Sequence, residues 1–337
     1  MYQRNEIIKL FKVMAKNSNL HAAKVAKNDE FYTMLTDIEK EMSHYKDFFK
    51  GKVVYCNCDD ARESNFFKYF SLNFEFLGLK KLITTGYKAE GKGVVLIYEG
   101  DKNGNRKVED DEIVVRQLEG SGDFRSAECI EFLKEADVVV TNPPFSLFRE
   151  YVKQLMDYGK KFIIVGPKNA AITKEIFPYI KENRLWMGWG FSGGNAYFKL
   201  GKSVTTEYSD GVFNADENVV KFRNCGWYTN IPTEKRYQKL DLYKRYSNEY
   251  KHYDNIDAIN VNKVAEIPMD YDGIMGVPIT FLDVYCPEQF EIVDAVNRYT
   301  LCDYFGVNDI VRQKHSHCAN IDGQAVYSRI LIKRICV

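Results

Sequence analysis

Short apolar runs alternate with amphipathic segments over the first two thirds of the chain. The apolar runs predict strands at residues 52–58, 81–85, 94–98, 112–117, 137–141 and 162–165. Helical spacing of apolar residues predicts helices at 64–74, 129–135 and 148–158. This alternation is typical of an α/β fold, in which a doubly wound parallel sheet carries helices on both faces. The runs at 94–98 and 112–117 could form a hairpin inserted into that sheet.

The two ends of the chain have a different pattern. Residues 1–50 have helical spacing, and we predict that Thr36 caps a helix there with Glu39 as its capping-box partner. Beyond residue 225 the alternation of strands and helices fades. The sequence therefore predicts an N-terminal helical segment at 1–50, a core at 51–225 and a separate C-terminal region at 226–337.

Composition sets limits on the function. The 337 residues include 47 Lys+Arg and 47 Asp+Glu, so a nucleic-acid partner would require basic residues gathered on one face. Eight cysteines without CxxC spacing fit reduced thiols in the cytoplasm. We see no signal peptide and no run of the roughly 18 apolar residues that a membrane span needs. His315-Ser316-His317-Cys318 lacks a second cluster of ligands, so we expect no metal site.

The residues that follow the predicted strand at 137–141 carry the clearest chemistry. They read Asn142-Pro143-Pro144-Phe145. The prolines fix φ and have no N–H, so this tetrad is stiff and its carbonyls are preset. The Asn142 side-chain oxygen and the Pro143 carbonyl can accept hydrogen bonds from a planar amine that is being methylated. Phe145 offers an apolar face on which an extruded base can stack.

Several acceptors fit this tetrad. Adenine N6 in DNA or RNA, cytosine N4 and a glutamine side chain all present a planar amine or amide. A catalytically inactive DNA-binding protein on the same fold is a further alternative, although the intact Asn142 and Phe145 argue against it. Donor binding followed by methyl transfer would separate these alternatives.

Acidic turns after other strands are candidates for binding a cationic methyl donor. Asp59 and Asp60 close the first predicted core strand, where a carboxylate could offset the donor's charge or cap the next helix. Asp123 and Phe124 end a glycine-containing turn. They could hold the donor's adenine ring, or the turn could be a plain loop.

Two further groups of residues are candidates for binding the methyl donor or DNA. Phe31, Tyr32 and Thr33 precede the helix predicted near Thr36, and they could cover the methionine end of the donor or pack on that helix. Basic and aromatic residues interleave between 235 and 253. A solvated helix face and a DNA backbone contact are equal readings of this basic segment, and its candidate phosphate ligands are Lys235, Arg236, Lys244 and Arg245.

With these residues assembled, the sequence resembles the EcoRI-type adenine-specific DNA methyltransferases over about residues 28–334. The central match is NPPFS at 142–146. The other segments that carry the resemblance are DEFYT (29–33), DIEKE (37–41), YCNCDD (55–60), SNFFKYF (64–70), DYDGIMGVPITF (270–281) and RILI (329–332).

The resemblance implies a Rossmann-like class I methyltransferase sheet. It implies S-adenosylmethionine as donor, bound partly by the N-terminal segment and Asn142, and N6 of adenine in double-stranded DNA as acceptor. It also implies that the C-terminal region recognises the target sequence, in a restriction–modification or orphan methylase that could act as a monomer. Two departures stand out. Asp59-Asp60-Ala61-Arg62 replaces the usual glycine-rich turn, and no acid ends the second core strand, which leaves Asp60 and Glu99 as candidates for the donor ribose.

Overall fold

The computed structural model describes residues 31–58, 60–191, 194–200, 213–214, 217–296 and 319–335. These residues form two compact units. The first unit takes the described residues up to Phe148 together with those of Phe191–Cys225. The second takes Arg149–Gly190 together with the described residues from Gly226 onward. The predicted division into 1–50, 51–225 and 226–337 assigns roles to segments and stays a prediction.

Most of the predicted strands and helices lie within a few residues of their predicted bounds. The α-helices are α1 (Leu35–Met42), α2 (Asn65–Leu72), α3 (Phe74–Leu77), α4 (Ala127–Glu135), α5 (Phe148–Asp157) and α6 (Phe177–Lys181). The strands are β1 (Phe31–Thr33), β2 (Val53–Cys56), β3 (Lys81–Gly86), β4 (Val94–Tyr98), β5 (Ile113–Gln117), β6 (Val138–Thr141), β7 (Lys161–Pro167), β8 (Trp186–Met187), β9 (Ala196–Leu200), β10 (Phe213–Asn214), β11 (Val219–Phe222), β12 (Cys225–Thr229), β13 (Ala258–Asn260), β14 (Ile274–Val277), β15 (Phe290–Val296), β16 (Asn320–Ile321), β17 (Gln324–Ala325) and β18 (Arg329–Arg334).

The main sheet strands of the first unit follow the order β5-β4-β3-β2-β6. Strand β2 pairs in parallel with both β3 and β6, whereas β4 pairs antiparallel with both β3 and β5. The predicted α/β class is confirmed, and β4 and β5 add antiparallel strands beside the parallel strands β3, β2 and β6. Only residues 87–93 join β3 to β4, and a parallel connection needs a dozen or more residues. The predicted hairpin between β4 and β5 is confirmed.

The termini of the helices follow local side-chain chemistry. Ser64 caps α2, because its hydroxyl accepts a hydrogen bond from the Phe66 N–H at 3.2 Å. The predicted cap at Thr36 is wrong: α1 begins at Leu35, and the extended Met34 precedes it without a side-chain cap. Strand β1 ends at Thr33 and α1 begins at Leu35, so Thr36 already lies inside the helix and cannot cap it. None of the helices that the structure describes is long and apolar enough to cross a membrane.

A second sheet of the first unit joins the N-terminal strand to a distant part of the sequence. Its order is β1-β9-β11-β10, with antiparallel pairing throughout. Thr33 lies opposite Phe198 in β9, and Phe198 in turn lies opposite Val220 in β11. The burial of Ala196, Phe198 and Leu200 alternates with exposed neighbours, which gives this sheet one apolar face.

The second unit contains three groups of paired strands. Strands β7, β12 and β8 are neighbours in that order, and β12 runs antiparallel to β8. A four-stranded sheet has the order β13-β14-β18-β15, and its β15–β18 pair is interrupted by a bulge between Ile292 and Asp294. The hairpin β16–β17 is separate. No α-helix lies among the residues described from 226 onward, in agreement with the fading alternation in the sequence.

Candidate active site

The order of the strands in the first unit predicts a crevice at the end of β2. The chain continues from β2 to β3 on one side and returns to β6 on the other, so β2 is a topological switch point. In open α/β sheets, ligands bind outside the carboxyl ends of strands at such a point. The two loops that leave this crevice contain the predicted donor residues after β2 and the tetrad after β6.

The tetrad begins directly where β6 ends. Asn142 is 6% exposed and Pro143 is also buried, whereas Pro144 and Phe145 are partly exposed. The Pro144 carbonyl accepts a hydrogen bond from the Leu147 N–H at 3.0 Å, which closes a turn after the tetrad. The Pro143 carbonyl accepts no hydrogen bond from any described residue. The rigid Pro143 carbonyl beside Asn142 is thus available to accept a hydrogen bond from a bound ligand.

Phe145 rests on a group of phenylalanines from other strands. Its ring centroid lies 6.2 Å from those of both Phe198 and Phe222, at interplanar angles of 83° and 75°. Phe198 also contacts Phe222 at 5.6 Å and Phe191 at 6.2 Å. These three supporting rings are buried. Their edge contacts fix the orientation of Phe145, while part of its own ring stays accessible.

Thr33 connects the N-terminal strand to the same aromatic group. Directly opposed residues of an antiparallel pair lie on one face of the sheet, so Thr33 and Phe198 are neighbours. The Thr33 carbonyl accepts a hydrogen bond from the Asn65 side-chain amide at 2.8 Å, which fixes β1 beside the start of α2. The Thr33 hydroxyl is buried and has no hydrogen-bond partner among the described residues. Phe31 and Tyr32 lie in the same strand.

The loop after β2 lacks the usual glycine-rich turn, but one of its residues adopts a backbone conformation that is typical of glycine. Cys58 has φ +71°, in the left-handed region that favours glycine. The Asp60 carboxylate accepts hydrogen bonds from the N–H groups of Arg62 at 2.9 Å and Glu63 at 3.3 Å. This carboxylate therefore organises the turn before α2, whereas the cap of that helix is Ser64 and not Asp60. Asp59 lies outside the described residues.

The second acidic turn is held in place by its own partners. The Asp123 carboxylate pairs with Arg125 at 2.6 Å and also accepts its backbone N–H at 2.9 Å. These hydrogen bonds and the charge of Arg125 lower the pKa of Asp123. Phe124 is buried beneath the Arg125 guanidinium, which lies 5.2 Å from its ring centroid. A donor amino group would therefore have to share Asp123 with Arg125.

Glycines allow this turn to approach the end of β3. A Cβ at Gly122 would lie 2.4 Å from the Gly86 carbonyl oxygen, and one at Gly93 would lie 2.6 Å from it. Side chains at either position would push the turn away from the sheet. Glu99 lies at the opposite end, because β4 is antiparallel to β3 and Glu99 stands 3.9 Å from Lys81 at the start of β3. Of the two proposed ribose ligands, only Asp60 lies at the carboxyl edge.

Two of the four candidate phosphate ligands are used inside the second unit. The Lys235 ammonium donates to the carbonyls of Gly188 and Trp189 at 2.6 and 3.2 Å. It also lies 5.9 Å from the Trp189 ring centroid. Lys235 therefore stabilises the loop that follows β8.

Arg236 is buried, with 7% of its surface exposed. Its guanidinium lies 4.0 Å from the ring centroid of Trp186 and 6.0 Å from that of Tyr285. It also donates to the Asn183 side-chain oxygen at 2.9 Å. Burial lowers the pKa of this guanidinium. This placement argues against the predicted phosphate contact, because the charged group has no access to DNA.

The other two candidate ligands lie on the surface. Lys244 is exposed, and the Arg245 side chain is 76% exposed with an ion pair to Asp270 at 3.5 Å. Tyr243 beside them is 67% exposed. These three residues belong to the exposed part of the basic segment. The cluster at 315–318, for which no metal was expected, lies outside the described residues.

Comparison with known proteins identifies the family. The model of the family described as adenine-specific methyltransferase EcoRI matches residues 19–335. This chain belongs to the EcoRI family of adenine-specific methyltransferases. The Type II methyltransferase M.EcoRI of Escherichia coli is 44% identical over 331 residues, which cover 95% of this chain and 97% of that protein. M.MpnI of Mycoplasma pneumoniae is 40% identical over 323 residues, 93% and 97% of the two chains. M.MgeORF184P of Mycoplasma genitalium is 36% identical over 327 residues, 94% and 98%.

Membership of the EcoRI family decides among the acceptors that the tetrad alone left open. It makes the chain an adenine-specific methyltransferase, and DNA is the expected substrate of such an enzyme. Enzymes of this family take the methyl group from S-adenosylmethionine. The first unit fits this donor in one testable respect, since the buried Thr33 hydroxyl has no partner among the described residues. Burying such a group is costly unless a ligand or water satisfies it.

In this EcoRI-family chain, sequence patterns alone did not indicate the residues that support the site. Phe198 and Phe222 lie beneath Phe145 but come from strands that form no motif. The alternation of buried and exposed residues in β9 was the available signal for Phe198. The Asn65 contact to Thr33 joins residues 32 positions apart, and no local pattern predicts it.

Proposed function

We propose that this protein transfers a methyl group from S-adenosylmethionine to N6 of adenine at a specific sequence in double-stranded DNA. The observation that carries the proposal is the position of Asn142. It follows β6 at the switch point, beside a half-buried ring and a carbonyl that has no partner among the described residues. The relatives are named Type II methyltransferases, and we propose the same restriction–modification setting here, with a monomer as the active form.

Asn142 and Pro143 act on the amine. The lone pair of adenine N6 is delocalised into the ring, so the nitrogen must pyramidalise and become more positive as it attacks. The Asn142 side-chain oxygen accepts a hydrogen bond from one N–H, and the Pro143 carbonyl accepts one from the other. Both acceptors are oriented before the base arrives, so they stabilise the developing charge without reorganising. Pro143 and Pro144 keep that orientation by fixing φ.

Phe145 holds the base. An adenine inside a duplex is stacked and paired, so its amino group must leave the helix before it can react. The accessible part of the Phe145 ring offers a stacking surface, and Phe198 and Phe222 prevent the ring from turning. Stacking of this kind contributes about 1–3 kcal/mol per base. Phe145 thus positions adenine next to Asn142.

The donor occupies the crevice between the loops that follow β2 and β6. S-adenosylmethionine supplies the electrophilic methyl group when it is bound. We assign Phe31, Tyr32 and Thr33 to its methionine end, Asp59 and Asp60 to its cationic and ribose portion, and Asp123 with Phe124 to its adenine ring. Thr33 has the strongest support, because its buried hydroxyl has no other partner among the described residues. Asp60 and Asp123 contribute less, since their carboxylates already hold their own loops.

The second unit contacts the DNA. Lys244 and Arg245 are the proposed phosphate ligands of the basic segment, and the exposed Tyr243 lies beside them. Lys235 supports this segment from within by holding the carbonyls of Gly188 and Trp189, and Arg236 does so by contacting the rings of Trp186 and Tyr285. Phosphate contacts position a protein on DNA but do not specify the sequence, which requires contacts to base edges.

The direct test is sequencing of duplex DNA treated with the purified protein and S-adenosylmethionine, with detection of N6-methyladenine. We expect methylation at one sequence motif. Methyl transfer to cytosine, to RNA or to no nucleic acid would contradict the proposal. Calorimetric titration with S-adenosylmethionine separates an inactive protein that still binds the donor from one that does not bind it.

A further inference from the structure

The register pairs of β2 and β6 end immediately before the two loops of the proposed active site. Their parallel register pairs Val54 with Val138 and Tyr55 with Val139, and no later pair continues it. The residues after β2 lead into the loop that contains Asp59 and Asp60, which we call the donor loop. The residues after β6 lead into the tetrad. Where backbone pairing stops, the distance between the two loops must be fixed by something else.

A side chain takes over at this point. The Thr141 hydroxyl, on the last residue of β6, donates a hydrogen bond to the backbone carbonyl of Asn57, 84 residues earlier. Thr141 is fully buried and Asn57 is 3% exposed. Thr141 directly precedes Asn142, the proposed catalytic residue, and Asn57 precedes Cys58, whose φ is +71°, in the loop that leads to Asp59 and Asp60.

We infer that Thr141 is a positioning residue for methyl transfer, which joins the tetrad to the donor loop through the Asn57 carbonyl. This inference rests on the proposed role of Asn142. A residue held on one side only by β6 could shift relative to a donor held by the loop after β2. The Thr141 hydroxyl limits this shift, because its hydrogen bond ties the residue before Asn142 to the carbonyl of Asn57, the residue before Cys58.

The same geometry predicts which step depends on Thr141. The hydrogen bond does not touch the base or the donor, so its loss leaves both binding surfaces intact. It changes the relative position of the two reactants, and a misplacement of about 1 Å can cost about 100-fold in rate. The rate of the chemical step should therefore respond much more than the affinity for S-adenosylmethionine or DNA.

The neighbouring strand provides matched controls for a Thr→Val exchange. Thr84 and Thr85 of β3 are buried to the same degree as Thr141. The Thr84 hydroxyl has no hydrogen-bond partner among the described residues, whereas Thr85 shares a hydrogen bond of 2.8 Å with the Tyr55 hydroxyl. Thr84→Val removes a hydroxyl without a bond. Thr85→Val removes a hydroxyl that forms a hydrogen bond, but that bond does not connect two loops of the proposed active site.

The experiment measures single-turnover methyl transfer, the donor Kd and the melting temperature of the full-length chain. We expect Thr141→Val to lower the rate constant by about 10- to 100-fold while the donor Kd changes less than about threefold. Thr141→Ser keeps the hydroxyl and should recover most of the rate. Thr84→Val and Thr85→Val should retain the wild-type rate, although Thr85→Val should lower the melting temperature.

Comparison of these variants separates the outcomes. A Thr141→Val rate equal to that of Thr85→Val overturns the inference, because the hydrogen bond then serves stability alone. If Thr141→Val does not fold, Thr141→Ala is compared with Thr141→Ser, and equal rates in that pair overturn it as well. Asn142→Ala tests the proposed function independently. If Asn142→Ala is inactive and Thr141→Val is normal, only the inference about Thr141 fails. If Asn142→Ala is fully active, the assignment of the tetrad fails.

Discussion

The tetrad and the basic segment were both recognised as motifs in the sequence, but they differ in how the fold uses them. All of the tetrad follows β6 at the edge where ligands are expected. The basic segment is divided: Lys244 and Arg245 are exposed, whereas Arg236 is buried against aromatic rings and Lys235 holds two carbonyls. The stiffness of the tetrad comes from its own prolines, so it does not depend on the surrounding structure. A motif defined by charge depends on which side chains reach the surface.

The largest expected effect is at the tetrad. Asn142→Ala should lower kcat by about 100- to 1000-fold, because it removes one of two preorganised acceptors for the amine. Donor affinity measured by calorimetry should change little. Asn142→Asp is the matched control, since it retains an oxygen acceptor and should retain more activity than Asn142→Ala. Equal losses of kcat and donor affinity would contradict the assigned role.

The next effect tests the buried half of the basic segment. Arg236→Ala should destabilise the protein by on the order of 3 kcal/mol, because a desolvated cation–π contact and a hydrogen bond to a charged group are both lost. Denaturant unfolding would measure this change. Arg236→Met fills similar space without a charge and should cost less. Unchanged stability in Arg236→Ala, together with weaker DNA binding, would restore Arg236 as a phosphate ligand.

A smaller effect is expected at the stacking surface. Phe145→Ala should reduce kcat/KM by about tenfold, within the range for loss of one base–aromatic stack. Phe145→Tyr retains the aromatic face and should remain close to wild type. Fluorescence of 2-aminopurine at the target position would report whether the base still leaves the duplex. Unchanged kinetics in Phe145→Ala would exclude stacking.

The smallest effect concerns the exposed half of the basic segment. Lys244→Ala with Arg245→Ala should reduce the slope of log Kd against log salt by about 2, since each lost phosphate contact removes about 0.9. Lys263→Ala is the matched control, because its side chain is also 76% exposed and paired with an acid at 3.4 Å. An unchanged slope in the double variant would place the DNA contact on another surface.

The sequence predicted the main elements of the first unit because local chemistry specifies them. The apolar runs at 52–58 and 137–141 became β2 and β6, and the helix predicted at 64–74 became α2. Thr36 was misread as a cap because the pairing of β1 with β9 sets where α1 begins. Pairing between strands that are far apart in the chain leaves no periodic signal, so this error could not be avoided from the local pattern.

The sequence by itself determined the class of chemistry and the α/β alternation, since both depend on neighbouring residues: proline stiffens its own loop, and periodicity is read over a few positions. Tertiary structure alone decided what surrounds those motifs. It brought Phe198 and Phe222 beneath Phe145, joined Thr141 to Asn57 across 84 residues, and buried Arg236 against a residue 53 positions away. These contacts depend on strand order and packing, which are properties of the whole chain and not of any single segment.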